Sequence, residues 1–311
     1  SRTQLFNIHT LTWDEELCTW FGVPRFALPE IRDSNANFGL TTFEGIFPKP
    51  IPIHCVLGDS HAALFAQGCT SPGLGKATYG TGSSVMINIG KQPIVSESLV
   101  TSLAWSMDGQ VDYVLEGNIN YTGAVINWLR DDIGLIDDPV QSGQLAQSVA
   151  DNGGVYLVPA FSGLGAPYWN NRVQAMYCGM TRKTKKAHLV RAAEECIAYQ
   201  IADIVKQVQK ENVSLQALRA DGGPTKDNFL MQFQSDVLNL PVQVSRTQEL
   251  SGAGAAYGAG LAVGMYNQDI LEKARMTKEY RPGQGTGDAA RWYQGWHRAV
   301  RAAVIFADEA L

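Results

Sequence analysis

Lys76-Ala77-Thr78-Tyr79-Gly80-Thr81-Gly82-Ser83-Ser84-Val85-Met86-Ile87-Asn88-Ile89 reads as two apolar strands, 76–79 and 84–89, joined by a Gly-Thr-Gly turn. Two more strands follow at 99–106 and 110–116. Between them, Met107-Asp108-Gly109-Gln110 is a hairpin signal, because Asp-Gly suits the positive φ angles of a type I′ turn. The pattern then changes period. Helices are expected at 123–132, 144–150, 187–210, 227–238, 253–263 and 289–311, alternating with strands at 155–159, 217–220 and 242–244. The helix at 187–210 is the best marked, with Leu189, Ala193, Cys196, Ile197, Ile201, Ile204, Val205 and Val208 recurring every three to four residues. Upstream, a short acidic helix is expected around 13–21. A buried strand at 51–57 would run into Gly58-Asp59, followed by a helix at 60–68 with Ser60 as N-cap. An antiparallel meander followed by alternating helices and strands is an α/β layout.

Composition bounds the rest. A chain of 311 residues exceeds one ordinary core and points to two domains. With 45% hydrophobic and 18% charged residues it can bury a large core. Its net charge of −5 supplies no excess cation to hold a phosphate backbone, which argues against a general nucleic-acid binder. The five cysteines, Cys18, Cys55, Cys69, Cys178 and Cys196, form no CxxC pair. They fit a reducing, cytoplasmic setting and argue against a zinc site. Neither a signal core nor an apolar run of membrane-spanning length, ~18 residues, is visible.

Four glycine-centred turns sit where strands or helices end: Gly58-Asp59-Ser60-His61, Tyr79-Gly80-Thr81-Gly82-Ser83-Ser84, Asn120-Tyr121-Thr122-Gly123-Ala124 and Asp221-Gly222-Gly223-Pro224. The Gly80-Thr81-Gly82 turn lets backbone and hydroxyls approach an anion, or is simply a hairpin. Asp59 is a general base at a strand's carboxyl end, or a helix-start carboxylate facing the dipole. Asp221-Gly222-Gly223 flanks a nucleotide, or only turns strand into helix. His61 and His188 read as ordinary helix-start residues. No segment has the spacing of a dinucleotide or Gly-Lys-Ser/Thr phosphate loop, and none has metal-ligand spacing.

Taken in order, the four turns resemble those of the FGGY family of carbohydrate kinases, in its glycerol-kinase branch. The resemblance runs over nearly the whole chain. It begins at Ser1-Arg2-Thr3 and Leu5-Phe6-Asn7-Ile8-His9-Thr10-Leu11 and continues through Gly58-Asp59 with Ala62-Ala63-Leu64-Phe65, then Thr78-Tyr79-Gly80-Thr81-Gly82 and Trp128-Leu129-Arg130-Asp131. Later come Val158-Pro159-Ala160-Phe161-Ser162-Gly163-Leu164-Gly165-Ala166-Pro167-Tyr168-Trp169, Asp221-Gly222-Gly223, Asn228-Phe229-Leu230-Met231-Gln232-Phe233-Gln234-Ser235-Asp236 and Gly252-Ala253-Gly254-Ala255-Ala256-Tyr257.

The resemblance implies an actin-like fold of two ribonuclease-H-type domains around a cleft, and ATP-dependent phosphorylation of a sugar or polyol. It implies ATP and Mg²⁺ as cofactors, with no nucleic-acid or membrane partner, and leaves homo-oligomerisation open. By motif position, Asp59 is the catalytic base and an indirect, water-mediated metal ligand. Gly80, Thr81, Gly82, Gly123, Asn127, Gly222, Gly223 and Asp227 fall on nucleotide-binding positions, and Ser60 and Ser84 on substrate-binding ones.

Several positions depart from the family pattern. Asp227 replaces an Asn, Asn127 a Gln, and Ser60 and Ser84 a Gln and an aromatic residue, which implies an acceptor larger than glycerol, such as a ketopentose or longer polyol. Val173-Gln174-Ala175 replaces an Ala-Arg-Gly, and Glu194 stands at a usually apolar position before Glu195. The resemblance places 1–66 in the last part of the family's N-terminal domain and 67–311 in the C-terminal, nucleotide-binding domain. On this reading the family's opening phosphate turn is missing, and the isolated chain is expected to turn over little or not at all. The alternative is a non-catalytic nucleotide- or sugar-binding actin-like module.

Overall fold

The computed structural model describes residues 2–273, 277–283 and 285–308. Its centre is a seven-stranded mixed sheet: β1 (Leu74–Tyr79), β2 (Ser83–Gly90), β3 (Val100–Met107), β4 (Gln110–Ile119), β5 (Ala217–Asp221), β6 (Val242–Ser245) and β7 (Thr277–Tyr280). The spatial order is β7-β6-β5-β1-β2-β4-β3. β1 pairs antiparallel with β2 and parallel with β5, which pairs parallel with β6. The expected meander is not simple: the four strands are antiparallel, but β2 pairs with β4, and β3 lies at the edge beside β4. This is the mixed sheet that a ribonuclease-H-type domain calls for. Met107 pairs with Gln110 across a turn in which Asp108 and Gly109 have φ +52° and +74°, as a type I′ hairpin requires.

Both faces of the sheet are covered, by α1 (Asp59–Ala66), α2 (Gly123–Asp131), α3 (Val140–Gln147), α4 (Lys186–Lys210), α5 (Asn228–Leu238), α6 (Leu250–Ala262) and α7 (Thr286–Asp308). Strand alternation sorts the two cores. Ala77, Tyr79, Val85, Ile87, Leu115, Leu218 and Ala220 face α4 and its neighbours. Met86 and Val114 face the opposite side, with Leu64 and Phe65 of α1. α4 is buried along most of its length, and each fully buried Ile or Val there contributes roughly 1.5–3 kcal/mol. Its polar residues are held as well: Asp203 accepts from Tyr168 Oη at 2.9 Å, Tyr293 Oη at 2.6 Å and Trp296 Nε1 at 2.8 Å.

The structure departs from expectation upstream of α1. Residues 51–57 are not a buried strand: only Ile51–Pro52 pairs, with Leu40–Thr41, and Ile51 and Val56 are exposed. Ser60 is not the N-cap. Gly58 holds that position, and Asp59 is the first helical residue, its own Oδ1 accepting from Ser60 N at 2.6 Å. α3 begins at Val140 rather than 144, behind Pro139. Ser1 and residues 309–311, at the ends of the expected pattern, lie outside the described residues. No helix among the described residues is long and apolar enough to cross a membrane.

Candidate active site

The Gly80–Gly82 turn closes on the start of α2. Gly80 N donates to the Gly82 carbonyl at 2.8 Å, Gly123 N to the Gly80 carbonyl at 2.9 Å, and Ala124 N to the Thr81 carbonyl at 3.1 Å. The first amides of α2 are therefore satisfied by the turn, while Thr81 stays exposed beside them. A Cβ on Gly123 would sit 2.8 Å from the Gly80 carbonyl oxygen, so only glycine permits this approach. Across from it, β5 ends in Asp221-Gly222-Gly223. Gly222 has φ +99° and lies against the Tyr79 carbonyl, where a side chain would overlap it. Gly223 faces open space.

These segments enclose a cavity of about 670 Å³ between α2, α3, α4 and α5. Of the residues singled out in the sequence, Gly80, Thr81, Gly123, Asn127, Gly223 and Asp227 line it; Gly82 and Gly222 support the turns behind. Asp227 caps α5, its Oδ1 accepting from Phe229 N at 2.7 Å and Leu230 N at 3.2 Å. Its Oδ2 lies against Gly143 of α3.

Glu194, 2% exposed, lines the same cavity. Burial, then the nearby Asp227, pushes its carboxyl up to about 8, against the opposing effect of a hydrogen bond with Ser142. Burial raises Asp227 too, opposed by the amides it caps. Motif matching marked Glu194 as a departure but did not reveal that it faces Asp227; that pairing arises only where α4 and α5 pack together.

Asp59, Ser60 and Ser84 lie apart from this cavity. Asp59 is exposed at the start of α1, and its carbonyl accepts from Ser251 Oγ at 2.9 Å. Alternation places Ser84 on the Met86 side of the sheet, the side that α1 covers. Its Oγ is buried without a hydrogen-bond partner among the described residues. Around it is a polar group that sequence reasoning missed. Lys76 is fully buried and donates to Thr78 Oγ1 at 2.8 Å, and Asp221 Oδ2 accepts from Gln67 Nε2 at 2.7 Å. Glu116 pairs with Arg2 at 2.5 Å and accepts from Asn118 Nδ2 at 3.2 Å. Burial lowers the Lys76 ammonium's pKa, and Asp221 and Glu116 oppose that shift. Alternating residues of strands that otherwise read as apolar were the available signal. His61 is buried, with Nε2 3.5 Å from Ser102 Oγ. Burial, with the Arg2 and Lys76 charges, lowers it to about 4 and leaves it neutral near pH 7.

Among the described residues no three His, Cys, Asp or Glu side chains gather as a metal site. Mg²⁺ in phosphoryl-transfer sites is held largely by phosphate and water with one or two carboxylates, and the exposed Asp59 fits that limited role.

Comparison with known proteins points to one family. The sequence model of the FGGY family of carbohydrate kinases, C-terminal domain, matches residues 75–263, and that of the family's N-terminal domain matches residues 1–66. The chain is 48% identical over 305 residues to glycerol kinase 1 of Thermotoga maritima, and 44% identical over 305 residues to the glycerol kinase of Desulfitobacterium hafniense. Each alignment takes in 97% of this chain and 62% of the relative, so the chain spans somewhat under two thirds of their length. The crystal structure of Plasmodium falciparum glycerol kinase with ADP superposes with a TM-score of 0.91 at 35% identity, covering 97% of this chain and 62% of that one. Ligand-bound xylulose kinase from Lactobacillus acidophilus shares the fold, with a TM-score of 0.86 at 21% identity over 96% of this chain and 62% of that one. With most of its length matched by the C-terminal-domain model, the chain belongs to the FGGY family of carbohydrate kinases.

Proposed function

We propose that this chain binds ATP in the cavity between α2 and α5 and serves ATP-dependent phosphorylation of a sugar or polyol hydroxyl. The observation that carries the reading is the convergence of Gly80, Thr81, Gly123, Asn127, Gly223 and Asp227 on one cavity. These residues come from three segments far apart in sequence. The volume suits a nucleotide. We assign 1–66 to the N-terminal and 67–311 to the C-terminal, nucleotide-binding domain of the family.

Asp59 takes the proton of the acceptor hydroxyl as its oxygen attacks the γ-phosphorus. The new O–P bond forms as the β,γ-bridging bond breaks, and ADP leaves with the bonding electrons. Mg²⁺, held through water by Asp59, would neutralise phosphate charge. The exposed Thr81 hydroxyl donates to phosphate oxygens, and positioning with electrostatics supplies most of the acceleration.

The acceptor is read on the α1 side of the sheet. A buried Ser84 hydroxyl without a partner, set among polar strand residues, favours a many-hydroxyl acceptor such as a ketopentose or longer polyol. Cysteines held as thiols rather than disulfides favour a reducing, cytoplasmic setting. The expectation that the 311-residue chain turns over little or not at all is checked by assaying it alone; ordinary kinase rates, ~1–100 s⁻¹, would refute it.

ADP calorimetry on the chain and on Gly223→Val tests the cavity. Gly223 faces open space, so valine projects into the cavity without disturbing the fold. Affinity should fall at least about tenfold, or ~1.4 kcal/mol. Equal binding by both proteins would remove the assignment.

A further inference from the structure

Glu194 and Asp227 are two carboxyl groups on one cavity wall, with no basic side chain within ion-pairing distance of either among the described residues. The elements around them supply little compensation. α3 carries no titratable side chain, and its Ser142 and Gly143 lie against the pair. On α2, Asn127 lines the cavity, while Arg130 pairs with the adjacent Asp131. On α4, Arg191 pairs with Glu195, and the buried Cys196 thiol is pushed up. Lys226, next to Asp227, is exposed. Two like charges in such a place do not both ionise readily.

The two groups are also distinct. Asp227 Oδ1 holds two backbone amides, which favour its ionised form, and leaves Oδ2 to accept. Glu194 is the more deeply buried and has no such amides.

We propose that Glu194 and Asp227 select the nucleotide's base, the Glu194 carboxyl donating its proton to a ring nitrogen while Asp227 accepts from the adjacent exocyclic amino group. Adenine presents that order at N1 and N6. Hypoxanthine reverses it, with an oxygen on C6 and a proton on N1, so it sets oxygen against carboxylate. The inference rests on the nucleotide reading of the cavity. It adds a proton-dependent preference, because ionised Glu194 can no longer donate to N1 and instead favours an N1–H.

The test is calorimetry of ADP and IDP with the 311-residue chain, Glu194→Gln and Glu194→Leu at pH 6.5 and 8.5. The wild-type chain should bind ADP at least about tenfold tighter than IDP at pH 6.5. With Glu194 titrating at about 8, ADP affinity should drop about fourfold by pH 8.5. Adenosine, which has no phosphate to titrate, should follow the same trend. Glu194→Gln, neutral and able to donate, should keep the ADP preference and lose the pH dependence. Glu194→Leu should bind ADP about fivefold to a hundredfold more weakly, the range for a lost buried hydrogen bond. An ADP/IDP ratio that ignores both Glu194→Leu and pH overturns this inference while the cavity reading stands. If neither nucleotide binds the wild-type chain, both readings fall.

Discussion

Arg191 Nε donates to Glu195 Oε1 at 2.7 Å inside α4, and that pair leaves the next carboxyl along the helix, Glu194, without a cation. Glu195 also accepts from Asn152 Nδ2 at 2.8 Å and Tyr199 Oη at 3.0 Å. Arg191 donates to the Ala146 carbonyl in the last turn of α3 at 3.2 Å and to the Val149 carbonyl just beyond its end at 2.6 Å, and lies over the rings of Phe229 and Trp292. One guanidinium thus fixes α3, α5 and α7 against α4, and α3, α4 and α5 are three walls of the cavity.

Replacing Arg191 by Met keeps much of the packing and strands a buried carboxylate and two carbonyls. Stability in urea denaturation should fall by about 3–5 kcal/mol, the range for a broken buried pair. Arg291→Ala, which removes an exposed partner of Asp288, should change it by less than about 1 kcal/mol. Similar small effects from both would mean that the buried pair does not hold the helices.

Glu194 should also make stability depend on pH. Its folded-state pKa, about 8, lies above the ordinary carboxylate value, so the folded chain holds this proton more tightly than the unfolded chain. The contribution is fully present below the unfolded pKa, near 4.3, and is lost as pH rises through the folded value. Across that window it falls by up to about 1.4 kcal/mol per pH unit. Glu194→Gln has no proton to lose. The stability difference between wild type and Glu194→Gln, measured from pH 5 to 9, should shift in favour of the variant as pH rises and level off above 8. A difference independent of pH would place Glu194 in contact with water.

Much of the fold was legible because local rules sufficed. Asp108-Gly109 declares its turn, and the apolar spacing of α4 set its limits to within a residue of Lys186–Lys210. β7 was missed because Thr277-Lys278-Glu279-Tyr280 is an edge strand with no apolar run; its pairing with β6 is set by the sheet, not by its own sequence. Residues 51–57 misled for the opposite reason: Ile51, Ile53 and Val56 look like a core strand but are exposed. In the site, the turns could be read by motif order. The Glu194–Asp227 pairing could not, since the two residues are 33 positions apart and meet only through the packing of α4 on α5.

Asp59 carries the last prediction. It stands at the exposed start of α1, apart from the cavity, so the proposed chemistry and the proposed nucleotide binding can be tested separately. Asp59→Asn keeps the size and the hydrogen-bonding capacity of a helix-start residue while removing basicity. In a form of the enzyme that turns over, kcat should fall ~10² to 10⁴-fold, the usual contribution of a positioned general base, with ADP affinity within about twofold of wild type. A carboxylate that only faced the helix dipole would give another pattern: melting temperature and kcat would both stay near wild type, because Asn serves a helix start nearly as well. A kcat within roughly threefold of wild type, well short of what losing a general base costs, would therefore remove Asp59 from the chemistry and leave the acceptor's proton to another group.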